Sequence, residues 1–366
     1  MPYIPQEILN QIIRYATANE PEDRRKFFNC ASFVSHTFHQ IVLPYKFRSL
    51  TFNFNYIRNH RPSHMSPALP IPSPIPEFCE AINAGDAHAL SLAPLVQELS
   101  LLNWTQNIFS YYVISESFEK IINSVPSFRN LTKLTMKVCG TSPVIMEQLG
   151  RLVQLQSLHI SNCHDLYRKY ADKPEVSYGA LSNLQSLHTL ECEEEWNYFK
   201  DHLACIPKKN LRILKGNDSK VIEALLTTDP PVQLKELWLN PSRVYRGDDS
   251  RPMLWNYLAR VTSLTHLSLP HLDSIPPSFI FSFPELQYLH IHIALAPRFA
   301  DQPMKEMEIK TESEPGRAMI EVRRHWQGTV FPHVEYLKTD RSYFDELEEI
   351  PIEFWREFLL NVKRVR

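Results

Sequence analysis

One arrangement of apolar positions recurs along the chain. An apolar residue is followed by two others, then a leucine, one more residue and a second apolar side chain. It reads Leu131-Thr-Lys-Leu134-Thr-Met136, then Leu155-Gln-Ser-Leu158-His-Ile160, Leu234-Lys-Glu-Leu237-Trp-Leu239, Leu264-Thr-His-Leu267-Ser-Leu269 and Leu286-Gln-Tyr-Leu289-His-Ile291. Val96-Gln-Glu-Leu99-Ser-Leu101 is an earlier copy, and weaker ones start at Leu184, Leu211 and Val334. Most successive starts lie 22 to 30 residues apart, with longer gaps of 35 and 48. The alternation after the second leucine predicts a short β-strand, because successive strand side chains point to opposite faces. Leu158 and Ile160 are expected to point inward, and His159 and Ser161 outward. One such unit cannot hide its own apolar face, so stability must come from stacking neighbours. Each leucine buried in this way contributes roughly 1.5–3 kcal/mol.

Between the predicted strands the apolar spacing changes to that of a helix. Ile114, Phe118, Ile121, Ile122 and Val125 share one helical face. Ser142-Pro143 supplies an N-cap and a first-turn proline ahead of Val144, Ile145, Leu149 and Leu152. Trp196, Phe199 and Leu203 form a third stripe, and Leu254, Leu258 and Val261 a fourth. Strand–helix alternation at this period predicts an α/β architecture over residues 49–366. It would be a leucine-rich-repeat-like solenoid with parallel strands on its concave side and helices on its convex side. Leu50-Thr-Phe52-Asn-Phe54 reads as a first strand. The proline-rich residues 61–77 are expected to form a loop, since proline donates no backbone hydrogen bond. Residues 297–330 are charged and poorly periodic, and are expected to be an insertion that leaves the repeat stack. Val362-Lys-Arg-Val365-Arg366 is expected to be either a short capping strand or the opening of a truncated repeat.

Composition narrows the function classes. Lysine and arginine total 39 against 41 acidic residues, a net charge of -2, which gives no electrostatic reason to expect a nucleic-acid or membrane partner. Only 8 of 366 residues are glycine, which argues against phosphate-cradling loops. No stretch is long and apolar enough to span a bilayer, and the N-terminus lacks the form of a secretory signal, so the cytosol or nucleus is the expected compartment. None of the six cysteines forms a CxxC pair. Cys139 and Cys163 fall on the closing Asn/Cys position of the repeat, and are expected to be small buried ladder residues rather than redox or metal groups. His290 and His292 alternate on one strand face but lack a third ligand at diagnostic spacing. Glu193, Glu194 and Glu195 read as a solvated turn. No nucleophile elbow, phosphate loop, zincin or dinucleotide motif occurs, so no catalytic residue, metal or cofactor is expected.

Residues 1–48 contain no copy of the repeat and predict three short helices. The first carries Ile4, Pro5, Ile8, Leu9, Ile12 and Ile13. The second carries Phe27, Ala31 and Val34. The third carries Phe38, Ile41 and Val42, ahead of Pro44. This segment resembles the F-box family in Ile4-Pro5-x-Glu7-Ile8-Leu9-x-x-Ile12-Ile13 and in Phe33-Val34-Ser35-x-x-Phe38-x-x-Ile41-Val42-x-Pro44-x-x-Phe47. The family usually has Leu-Pro at the start and Trp where Phe38 stands. The resemblance implies a small all-α module that docks on a Skp-type adaptor of a cullin complex through Ile4, Pro5, Ile8, Leu9, Ile12, Val34 and Phe38. The alternative for Ile4, Pro5, Ile8, Leu9, Ile12 and Val34 is that they are the module's internal core.

An F-box ahead of repeats implies a non-catalytic substrate-recognition subunit of a Skp–cullin–F-box ubiquitin ligase, whose repeats hold a protein substrate. A repeat scaffold for protein assembly, with no ligase role, is the alternative. Strand direction places the substrate-contact candidates at outward positions: Lys137, His159, Trp238, Asn240, His266, His290, His292 and Lys338, together with Thr135, Ser161, Ser268 and Asp340. Trp238 stands out, because exposed aromatics anchor interfaces.

Overall fold

The computed structural model describes residues 11–12, 28, 30, 36–53, 74–104, 118, 120–141, 143–161, 163–165, 179–193, 203, 205–216, 232–239, 251–269, 281–294, 296–310, 315–340 and 350–365. They fall into two compact units. One is Met1–Gln156 with Cys163–Val176, the other Ser157–Asn162 with Ser177–Arg366.

In the first unit, helix α1 (His36–Phe47) leads into strand β1 (Ser49–Asn53). Helices α2 (Pro74–Asn83) and α3 (Ala87–Leu92) follow, then strands β2 (Glu98–Leu102) and β3 (Lys133–Lys137) and helix α4 (Pro143–Gly150). The strands β1, β2 and β3 pair in parallel, with Leu50, Leu99 and Leu134 in one row and Phe52, Leu101 and Met136 in the next. Asp86 caps α3 by accepting a 2.8 Å bond from the Ala89 N–H. Phe118, Ile121, Ile122 and Val125 are buried, as the helical stripe requires. Trp104 donates to the Phe52 carbonyl at 2.9 Å and stacks on Phe118 at 5.6 Å.

The second unit has nine parallel strands among its described residues: β4 (Ser157–Ser161), β5 (Thr189–Glu193), β6 (Ile213–Gly216), β7 (Glu236–Leu239), β8 (His266–Leu269), β9 (Tyr288–His292), β10 (Glu306–Lys310), β11 (Tyr336–Asp340) and β12 (Arg364–Val365). Each pairs with its sequence neighbours. Leu158, Leu190, Leu214, Leu237, Leu267, Leu289, Met307 and Leu337 make one continuous buried row. Helices α5 (Arg251–Leu258), α6 (Pro315–His325) and α7 (Ile352–Trp355) belong to this unit. Trp326 packs against Phe331, Trp355 and Phe358 and donates to the Ile293 carbonyl at 2.8 Å.

Most of the described repeats are locked to the one before in the same way. The residue after the first apolar position, and the next one, donate their N–H groups to a single carbonyl of the preceding repeat. Arg212 accepts from Lys235 and Glu236, at 2.7 and 3.0 Å. Lys235 accepts in turn from Thr265 and His266, at 2.8 and 3.1 Å, and Thr265 from Gln287 and Tyr288, at 2.9 and 3.1 Å. Gln287 and then Lys305 continue the chain to Tyr336. A side chain just ahead of the first apolar residue adds a second tie at several repeats. Asn130 donates to Pro94 O, Asn210 to Gln185 O and Ser263 to Leu234 O, each at 2.7 Å.

Several expectations are corrected. Residues 297–330 contain a full repeat, not an excursion: β10 pairs with both β9 and β11, and α6 follows it. Its apolar slots hold Met304, Met307 and Ile309, all buried, and unbranched methionine fills the leucine positions. The repeat sought at Leu184 is out of frame by one helical turn. Leu184 ends a short 3-10 turn, and the strand takes its frame from Leu187, Leu190 and Cys192. Glu193 is the last residue of that strand rather than part of a turn. Helix α1 runs through Pro44 instead of stopping before it. Pro74 and Pro76 lie in the first turn of α2, where missing N–H groups cost nothing, so the last residues of 61–77 are helical. Ser161 and Ser268 are buried, not outward contacts. The residues 364–365 form a strand beside β11.

The ladder cysteines are buried as expected. The Cys139 thiol donates to Leu101 O at 3.2 Å and the Cys163 thiol to Met136 O at 3.5 Å. Burial pushes the Cys79 thiol up to about 11 and raises that of Cys139, where the neighbouring Cys163 thiol adds to the effect. Native alkylation should therefore modify exposed Cys30 and spare Cys79 and Cys139, which react only after denaturation. Peptide mass spectrometry of the two samples checks this. Leu237→Ala should destabilise the fold by about 2–5 kcal/mol in urea titration, and Trp238→Ala by clearly less.

Candidate functional site

Opposite the leucine row, the second unit presents a half-exposed face. The strand geometry delivers one large side chain per strand, and six of them meet. Lys215 on β6 holds its ammonium 5.5 Å from the centre of the Trp238 ring on β7. Trp238 lies 6.3 Å from His266 on β8 and 5.2 Å from Tyr288 on β9, and His266 and Tyr288 are 5.8 Å apart. The Tyr288 hydroxyl donates to Glu308 on β10 at 2.6 Å. Lys338 on β11 bonds the other Glu308 oxygen at 2.5 Å. The result is an aromatic centre with a cation at each end and a carboxylate set between the rings and the second cation.

Neighbouring groups hold these side chains in place. The Trp238 indole N–H donates to Glu236 at 3.0 Å. His266 Nδ1 shares a 3.0 Å hydrogen bond with the Thr265 hydroxyl, and His290 Nδ1 a 3.1 Å bond with Ser268. Aromatic rings fixed in this way lose little freedom on binding a partner, which suits them as anchors.

The structure brings Trp238, His266 and Lys338 together in this belt, with His290 beside it. His159 is separate and faces Glu191 and Glu193. His292 turns to its own backbone, where Nδ1 accepts from the Ala294 N–H at 3.3 Å. Lys137 is exposed on β3 of the first unit, and Thr135 is half-buried there. Asn240 lies outside the described residues. Ile4, Pro5, Ile8, Leu9 and Val34 do too; Ile12 is exposed and Phe38 lies on α1. Lys215, Tyr288 and Glu308 were missed from the sequence. Each flanks an inner leucine or methionine: alternation in the repeats at Leu211 and Leu286 already turned Lys215 and Tyr288 outward, whereas Glu308 belongs to the repeat whose frame was missed.

No protein-family model matches the chain, and no protein of curated function matches its sequence. Among solved structures, an internalin from Listeria monocytogenes str. 4b F2365 is similar at 13% identity, over 73% of this chain and 84% of that one, with a TM-score of 0.33. A TLR13–ssRNA13 complex is similar at 14% identity over 75% of this chain, with a TM-score of 0.36; the match spans 41% of that chain. At these scores the likenesses carry no assignment, and the leucine-rich-repeat-like fold rests on the strand ladders themselves. Among the described residues, no helix is long and apolar enough to cross a membrane.

Glu308 gives the belt a pH dependence. Burial raises its carboxyl, but the hydrogen bonds from Lys338 and Tyr288, with the nearby His290 and Lys338 charges, outweigh burial and hold it below the ordinary carboxylate range. A carboxyl depressed in the folded state stabilises the fold above its unfolded pKa of about 4.3, and that contribution is lost as pH falls through the folded value. Lys338→Met should lower the urea midpoint at pH 7. Its difference from wild type should shrink as the pH is taken below about 4.

Proposed function

We propose that this chain is a non-catalytic receptor that binds a protein partner on the outward strand face of its second unit. The observation that carries the reading is the belt from Lys215 to Lys338, with Trp238 and Tyr288 at its centre. Interfaces favour such rings flanked by charge: the rings supply area at low entropic cost, and the charges fix orientation. Counting Glu236 beside Trp238, two carboxylates face the two lysines, which suits a mixed-charge protein surface better than a polyanion.

Within that class, we propose the role of substrate-recognition subunit of a Skp–cullin–F-box ubiquitin ligase, working in the cytosol or nucleus. Its support is the F-box-like sequence of residues 1–48 placed ahead of repeats. Residues 1–48 would dock the Skp-type adaptor, and the belt would hold the substrate for ubiquitin transfer by partner subunits.

Co-expression of the full chain with a Skp-type adaptor, followed by size-exclusion chromatography, tests this. A one-to-one complex is expected, lost in Leu9→Asp while the circular dichroism spectrum is retained. A folded wild type that forms no complex ends the ligase reading and leaves a protein-assembly scaffold. Trp238→Ala should leave adaptor binding unchanged, because the belt and residues 1–48 have separate tasks.

A further inference from the structure

The cluster around His159 is not used by the proposed receptor function. The strands β4 and β5 pair in parallel with His159 opposite Glu191 and Ser161 opposite Glu193. That register puts His159, Glu191 and Glu193 on one face, with the imidazole beside both carboxylates. His159 Nδ1 lies 3.9 Å from Glu191 Oε2, and Nε2 lies 3.9 Å from Glu193 Oε1. Both separations are too long for a hydrogen bond. Nε2 is shielded from solvent and has no hydrogen-bond partner, an expensive state for a polar atom. Among the described residues no lysine or arginine forms an ion pair with either carboxylate. Lys215, which stands opposite Glu191 on β6, holds its ammonium over Trp238.

We propose that His159, Glu191 and Glu193 bind a divalent transition-metal cation of the Zn2+ class. One ligand atom from each residue lies within 4.8 Å of the others. Zinc bonds of about 2.0–2.2 Å require ligand atoms roughly 3.3–3.6 Å apart in a tetrahedron. The three groups must therefore close by up to about 1.5 Å. The side chains are 25%, 26% and 42% exposed, so the glutamates have room to rotate. An imidazole with two carboxylates selects a borderline cation over calcium or magnesium, which take oxygen ligands alone. Two neighbouring carboxylates supply the negative charge that a dication neutralises, and the paired strands hold all three residues in register. The three protein ligands leave one position for water or a further donor.

The test is titration of the chelator-treated full chain with Zn2+ by calorimetry, beside His159→Gln and the double variant Glu191→Gln/Glu193→Gln. Wild type is expected to take up one equivalent more than either variant, or to bind that equivalent at least tenfold more tightly. Co2+ bound there should give a visible d–d band without the near-ultraviolet thiolate bands that a cysteine site produces. Equal uptake by wild type and folded variants overturns the proposal, and leaves the cluster as an imidazole held between two carboxylates. Should the variants unfold, anomalous diffraction from wild-type crystals grown with Zn2+ decides. A zinc peak bonded to His159 and the glutamates supports the site, and no peak there overturns it.

Discussion

A strand of this chain has no partner within its own repeat. Its N–H and C=O groups must be satisfied by the repeats on either side, because a buried backbone group left unpaired costs as much as a lost hydrogen bond. The shared carbonyls meet that need. Arg212, Lys235, Thr265, Gln287 and Lys305 each accept two N–H groups from the repeat that follows, and so fix where its strand begins. Once the start is fixed, alternation does the rest: the leucine row turns inward, and the residue after each leucine turns out. The belt on the open face follows directly. Lys215 and Trp238 each follow a buried leucine, and Glu308 follows a buried methionine in the same slot.

The two faces of the ladder obey different rules. On the inner face, volume and burial select the residue, and methionine, cysteine or phenylalanine can replace leucine. The outer face selects no residue type by packing, so its chemistry is free to vary between strands. From β4 to β5 it gathers an imidazole and carboxylates, and from β6 to β11 rings and paired charges. Fixed spacing makes neighbours of side chains that lie 20 to 30 residues apart in sequence, as with Tyr288 and Glu308 or Glu308 and Lys338.

Much of the fold was legible because burial repeats. The strands at Leu134, Leu158, Leu237, Leu267 and Leu289 stand where the leucine pattern put them. Two frames were missed for physical reasons. At Leu184 an extra leucine in the preceding turn offered a false start three residues early. At Met304 the slots hold methionine, which a search for leucine passes over. The site was harder to read. Trp238, His266 and Lys338 could be listed as outward from alternation alone, but their mutual contacts depend on which strands are neighbours. Glu308 was hidden with its repeat. Glu191 and Glu193 were separated by the misplaced frame, so their shared approach to His159 was not visible. Ser161 and Ser268 alternate correctly and are still buried, because alternation gives direction and not depth.

The layer at β10 differs from the others in its chemistry. Met304 and Met307 are thioethers shut away from solvent, at 0% and 1% exposure. A peroxide cannot reach either sulfur while the layer is closed. Conversion to the sulfoxide would bury a polar oxygen in this apolar layer, which is costly. That damage is self-reinforcing, since a layer once opened and oxidised cannot close as before. The methionine repeat is therefore the ladder's recording point: sulfoxide accumulates there only as fast as this stretch of the sheet comes apart.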